Sequence, residues 1–184
     1  MILPIVAYGD PVLRKKAVNI DKDYPKLDEL IANMFETMYD SRGVGIAAPQ
    51  VGKSINLFVI DTSSFEDEQY PDLKKVFINA EILEKHGEQW EFEEGCLSIP
   101  GIRENVWREE TLRIRYQDEK FETHEEAYDG IAARVIQHEY DHCQGKLFID
   151  YLTELKKRLL KNKLVRISKG DVDVAYKMRF PAVR

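Results

Sequence analysis

Between residues 24 and 43, YPKLDELIANMFETMYDSRG spaces Leu27, Leu30, Ile31, Met34 and Met38 three and four apart, which marks one face of a helix. Pro25 stands near its start and Gly43 is placed to end it. The run SINLFVIDT reads as a buried strand. KKVFINAEILEKHGEQWEFEEGC predicts two strands around a turn at His86-Gly87. ENVWREETLRIRYQDEKFETHEEAYDG predicts two or three more, with alternation at Leu112, Ile114 and Tyr116. A helix follows from about Gly130 to Gln144, with Asp129 placed to cap it and Gly145 to end it. A basic helix comes last, and the tail DVDVAYKMRFPAVR is a candidate edge strand. Strands fill the middle and helices sit at the ends, a pattern that predicts an α+β fold. The expected architecture is antiparallel sheets packed around the helix at residues 130–144, with an N-terminal helix and a C-terminal basic helix. No repeat, linker or low-complexity tract interrupts the chain. Residues 1–184 therefore read as one domain, with about 151–184 forming the basic helix and tail.

Composition narrows the class. At 184 residues the chain suffices for one ordinary domain and is short for two. With 43% hydrophobic and 33% charged residues it is neither membrane-like nor disordered. Its apolar runs, such as Leu57–Ile60, are too short to span a bilayer, so no membrane role is expected. The opening MILPIVAYGDPVLRKK lacks both a secretory pattern and an Arg/Ser-rich leader, and a bacterial cytoplasmic location is expected. Two cysteines, Cys96 and Cys143, are too few for a disulfide scaffold. The net charge of −6 argues against nucleic-acid binding by the whole surface. That charge is uneven: residues 151–170 carry seven Lys/Arg against one acid, a net of +6, which leaves −12 on the rest.

The chemistry concentrates in VIQHEYDHCQGKLF. His138 and His142, four apart on a helix, can offer two imidazoles to one ion, and Glu139 flanks the same face as a base for an activated water. Ile131, Val135, His138 and His142 share one stripe, so the helix turns this face inward. His86 and His124 lie in charged segments and read as surface residues. No His follows His142 and no Glu follows Glu154, so downstream candidates for a third ligand are few. Upstream, EFEEGCLSIPG offers Cys96, which with the two histidines makes a three-ligand set with an open position. Cys143 is rotated about 100° from His142 on the helix and reads as a packing residue. A thiolate and two imidazoles suit Fe2+ or Zn2+, with Ni2+ and Co2+ also compatible. Two rival readings remain at this level: a zincin-like endopeptidase with a downstream ligand, and a structural metal module closed by a fourth protein ligand.

Three stretches in order, GVGIAAPQVG (43–52), EGCLS (94–98) and QHEYDH (137–142), together with YGDPVLR near the start, resemble peptide deformylase, the family that removes the N-formyl group from newly made bacterial proteins. The likeness spans the chain to about Tyr151, with one departure, Cys143 where the family has Leu. It implies metal ligation by Cys96, His138 and His142, with Fe2+ favoured. Glu139 would be the general acid/base, and Gln50 with the Leu97 backbone N–H would stabilise the oxyanion. It implies a nascent formyl-Met polypeptide as substrate, added as a strand along Val44, Gly45 and Ile46. Ile46, Ile131 and Val135 are candidates for the methionine pocket, and Arg103 for a peptide contact. A monomer is expected, with the basic helix a candidate for docking on the phosphate-rich ribosome surface.

Overall fold

The computed structural model describes residues 1–65 and 72–181. Its elements run β1 (Ile5–Val6), α1 (Leu27–Asp40), β2 (Gly45–Ala47), β3 (Leu57–Asp61), β4 (Lys74–Cys96), β5 (Ile99–Gln117), β6 (Thr123–Asp129), α2 (Gly130–Cys143), α3 (Glu154–Ser168) and β7 (Met178–Arg179), with short 3-10 turns between. The fold is α+β. Five strands form an antiparallel sheet in the order β2-β3-β4-β5-β6, and β1 and β7 pair in parallel as a separate ribbon. Among the described residues no helix is long and apolar enough to cross a membrane.

The strand LFVI is apolar at every position because both of its faces are covered. Phe58 and Ile60 join Phe77, Leu112, Ile114, Ala133 and Ile136 in the core beneath α2. Leu57 and Val59, on the opposite face, join Met34, Met38 and Ile78 in the core beneath α1. A third core packs Ile99, Ile102 and Val106 at the start of β5 against Leu160, Leu164 and Ile167 of α3. The sheet is thus sandwiched between α1 and α2, and α3 closes one end of the long β4–β5 hairpin.

Several local expectations are corrected. KKVFINAEILEKHGEQWEFEEGC is one strand of 23 residues, not two. Gly87 takes a positive φ of 83°, but that conformation makes a bulge, and the ladder with β5 merely slips between His86 and Gln89. Two strands follow, within the two or three expected, but the first begins already at Ile99. α1 reverses at Arg42 (φ 56°), not at Gly43. Gly43 is small for a different reason, since a Cβ there would lie 2.8 Å from Leu97 Cδ1. Asp129 holds the N-cap position of α2 without a capping bond, because β6 turns into the helix through Gly130 (φ 55°) and leaves Asp129 exposed. Gly145 (φ 73°) does follow α2, where a Cβ would meet the Arg14 carbonyl at 2.6 Å. The tail pairs with β1 instead of the main sheet, and Ala182–Arg184 fall outside the described residues.

Candidate active site

α2 carries His138 and His142 one turn apart on its inward face, with ring centroids 5.1 Å apart and planes at 70°. Cys96 ends β4 in front of them. The ligand atoms of Cys96, His138 and His142 lie within 4.8 Å of one another, and Cys96 Sγ is 3.4 Å from His142 Nε2. His138 Nδ1 is 2.8 Å from Glu94 Oε1. An ionised carboxylate only accepts, so Nδ1 keeps a proton toward Glu94, and Nε2 is the nitrogen on which a bound cation would replace the proton. One soft sulfur and two imidazoles converging with room for a further ligand form a donor set that fits a divalent transition-metal ion.

Glu139 is buried against this cluster, and its Oε2 has no hydrogen-bond partner among the described residues. Burial pushes its carboxyl up to about 7. It reaches this position only because residue 45 is glycine: a Cβ there would lie 2.7 Å from Glu139 Cγ and Oε1. Gln50 is fixed by its oxygen, which accepts from the Ala47 N–H at 2.9 Å. Its Nε2 is thereby turned toward Ser98 Oγ at 3.3 Å and Cys96 Sγ at 3.6 Å.

Behind the histidines lies a buried ionic network that sequence reading missed. Glu94 accepts from Arg108 Nε at 2.8 Å and Nη2 at 3.0 Å, and from Arg134 Nη1 at 2.8 Å. Arg108 Nη1 reaches Asp141 at 2.8 Å, and Tyr151 donates to the same carboxylate at 2.7 Å. Burial alone would raise the Glu94 carboxyl, but hydrogen bonds from His138 and Arg108 outweigh it and hold the group well below the usual carboxylate range. For His138 too, burial disfavours the charged ring, while Cys96 and Glu94 more than offset it and hold the ring well above its usual value. The signal that could have exposed these residues is charge at core-facing positions. Arg108 follows Val106 at strand spacing, and Arg134 sits on the same inward stripe of α2 as Ile131, Val135 and His138.

The cluster opens into a cavity of about 870 Å³. Val44, Gly45, Arg103 and Val135 line it. Ile46 and Ile131 do not: strand alternation points Ile46 into the α1-side core, and Ile131 packs into the α2-side core. Arg103 is also ion-paired to Glu93 at 2.8 Å on an exposed rim. His86 is exposed, and half-exposed His124 sits 2.7 Å from Asp118.

The profile of the Polypeptide deformylase family matches residues 2–158. The chain belongs to that family. A peptide deformylase of Christiangramia forsetii is 60% identical over 190 residues, covering 98% of this chain and 97% of that one. One of Cytophaga hutchinsonii is 56% identical over 181 residues, covering 98% of each. The crystal structure of a peptide deformylase from Legionella pneumophila matches with a TM-score of 0.81 at 40% identity, over 93% of this chain and 98% of that one. The whole donor set, Glu139 and the ionic network lie within the span matched by the deformylase profile; the tail does not.

Proposed function

We propose that this chain hydrolyses the formyl group from the N-terminal formyl-methionine of newly made polypeptides, with Cys96, His138 and His142 holding one divalent cation. The observation that carries the reading is the convergence of one thiol and two imidazole nitrogens beside a buried carboxyl whose Oε2 has no hydrogen-bond partner among the described residues. When bound, the cation supplies Lewis acidity, making water more acidic and the formyl carbonyl more electrophilic. The resemblance favours Fe2+, and the donor set equally accepts Zn2+, Ni2+ or Co2+.

Glu139 moves the proton. A carboxyl raised to about 7 takes a proton from the attacking water at Oε2 and returns it to the leaving amine, work worth about 10²–10⁴-fold. Gln50 Nε2, with the Leu97 N–H, faces the oxyanion that develops on the formyl carbon. β2 is an edge of the sheet, so one side of its backbone has no partner strand among the described residues and can pair with an extended peptide along Val44–Ile46. Val135 lines the wall available to the methionine side chain. The open cavity disfavours a structural module sealed by a fourth protein ligand.

The protein is read as one catalytic domain, acting as a monomer in a bacterial cytoplasm. α3 is the ribosome-docking candidate. Lys156 already pairs with Glu104 and Lys157 with Glu154, so Arg158 and Lys161 carry more of that role. Neutralising Lys156, Lys157, Arg158 and Lys161 should weaken ribosome binding and flatten its salt dependence; unchanged binding refutes the docking.

The experiment is amine release from a formyl-Met peptide by metal-quantified wild type and Glu139→Gln, with an acetyl-Met peptide alongside. Release that is lost in the variant and absent on the acetyl substrate supports the reading. Metal-loaded wild type without release overturns it.

A further inference from the structure

Cys96 and Ile99 close a two-residue turn, Leu97–Ser98, between β4 and β5. Neither turn residue has a positive φ. The turn is therefore not of the primed type whose twist matches that of the flanking strands. The ladder also slips between Gly95 and Cys96 as it approaches. Such a turn needs holding from outside. The Tyr8 N–H donates to the Ser98 carbonyl at 2.8 Å, and Gln50 Nε2 to Ser98 Oγ at 3.3 Å. The Tyr176 hydroxyl donates to the Leu97 carbonyl at 2.7 Å, the one of these three bonds that grips Leu97 itself.

Tyr176 comes from the C-terminal tail, beyond the span that the family profile matches. Residues 173–176 of this tail line the cavity. Both of its ends are anchored. At α3, Arg166 pairs with Asp171 at 2.7 Å and the Asp171 N–H returns to the Arg166 carbonyl at 2.9 Å. Directly after Tyr176, the Lys177 and Arg179 carbonyls accept from the Ile5 and Ala7 N–H groups, each at 2.9 Å. A fixed strap therefore delivers one hydroxyl to the residue next to a candidate metal ligand.

We propose that Tyr176 is a positioning residue for the oxyanion side of the site, holding the Leu97–Ser98 turn so that the Leu97 N–H keeps its orientation toward the developing charge. The inference rests on the deformylase reading above. It makes the tail a working part of the site rather than a trailing end, and it assigns catalytic consequence to a hydroxyl bonded to the backbone of the turn.

The test is Tyr176→Phe, which keeps the ring and removes only the hydroxyl. It is compared with wild type on a formyl-Met peptide, with metal content, thermal midpoint and amide exchange at Leu97 and Ser98 measured on the same samples. The expected result is a kcat lower by about three- to tenfold, the range one hydrogen bond commands. KM should stay within about twofold, metal content and midpoint should hold, and the two turn amides should exchange faster. Unchanged kcat overturns the proposal. So does a loss that follows metal release or unfolding, which would make the bond merely structural, or a loss carried by KM alone, which would make Tyr176 a substrate contact. Wild type lacking deformylation would instead overturn the parent reading, and this inference with it.

Discussion

Glu94→Gln is the most informative perturbation of the scaffold behind the site. Glu94 accepts four hydrogen bonds, two from Arg108 and one each from Arg134 and His138. With Asp141 it balances two buried guanidiniums, two charges against two, and the side chains of Arg108, Arg134 and Glu94 are 2–4% exposed. A glutamine of the same shape offers one accepting oxygen and turns an NH2 toward donors, leaving an uncompensated positive charge in the core. Breaking one partner of a buried pair costs about 3–5 kcal/mol. For a domain of this size, at roughly 2–4 °C per kcal/mol, the thermal midpoint should fall by about 6–20 °C. His138 also loses the acceptor that fixes its tautomer, so metal affinity should drop about 10–100-fold. The pH dependence has a defined sign. Because the folded carboxyl is held below its ordinary value of 4.5, its contribution is fully present above that pH and is lost as pH falls through the folded value. Calorimetry of the metal-free protein across the acid range, with a competitive metal titration at neutral pH, measures all three effects. A variant whose midpoint lies within about 2 °C of wild type would refute the claim that this network carries a real charge balance.

Gly45→Ala probes the fit of the general base. A Cβ 2.7 Å from Glu139 Cγ is about 0.8 Å short of an ordinary carbon–carbon contact, so the carboxylate must shift. Displacements near 1 Å cost about 10²-fold, so kcat should fall on that scale while metal content holds; an unchanged kcat sinks the argument. The two cysteines should separate chemically. Cys143 is fully buried and burial pushes its thiol up to about 12, whereas Cys96 lines the cavity. Iodoacetamide on folded, metal-free protein at pH 8 should label Cys96 and spare Cys143 until denaturant is added, and comparable labelling of both by peptide mass mapping would contradict this.

The fold was legible where one period dominates. Leu27, Ile31, Met34 and Met38 are buried along α1 as their spacing requires, and LFVI is a strand covered on both faces. Reading failed where a glycine's backbone decides. At Gly87 the same positive φ serves a hairpin turn or a bulge, and only the pairing partner distinguishes them. The tail was ambiguous for a related reason. Met178 and Arg179 find β1, each partner 173 residues away, through two pairings too short to leave a periodic trace.

The site divides along the same line. Cys96, His138, His142 and Glu139 could be grouped from the sequence because the chemistry of metal binding restricts residue types sharply, and helical spacing supplies half the geometry. The network that orients them obeys a weaker rule. Arg108 and Arg134 look like ordinary surface charges until their strand spacing from Val106 and helical spacing from Ile131 are noticed, and spacing alone cannot say which acid answers them. Ile46 shows the converse error, an apolar residue in a functional stretch that strand alternation turns into the wrong core. Gly45, its neighbour, is the informative position. Its backbone is the stretch expected to run beside the substrate, yet within the protein its lack of a side chain is already required by Glu139. A side chain at residue 45 would thus have to displace the general base, so the requirement for glycine there comes from the chain's own chemistry before any peptide binds.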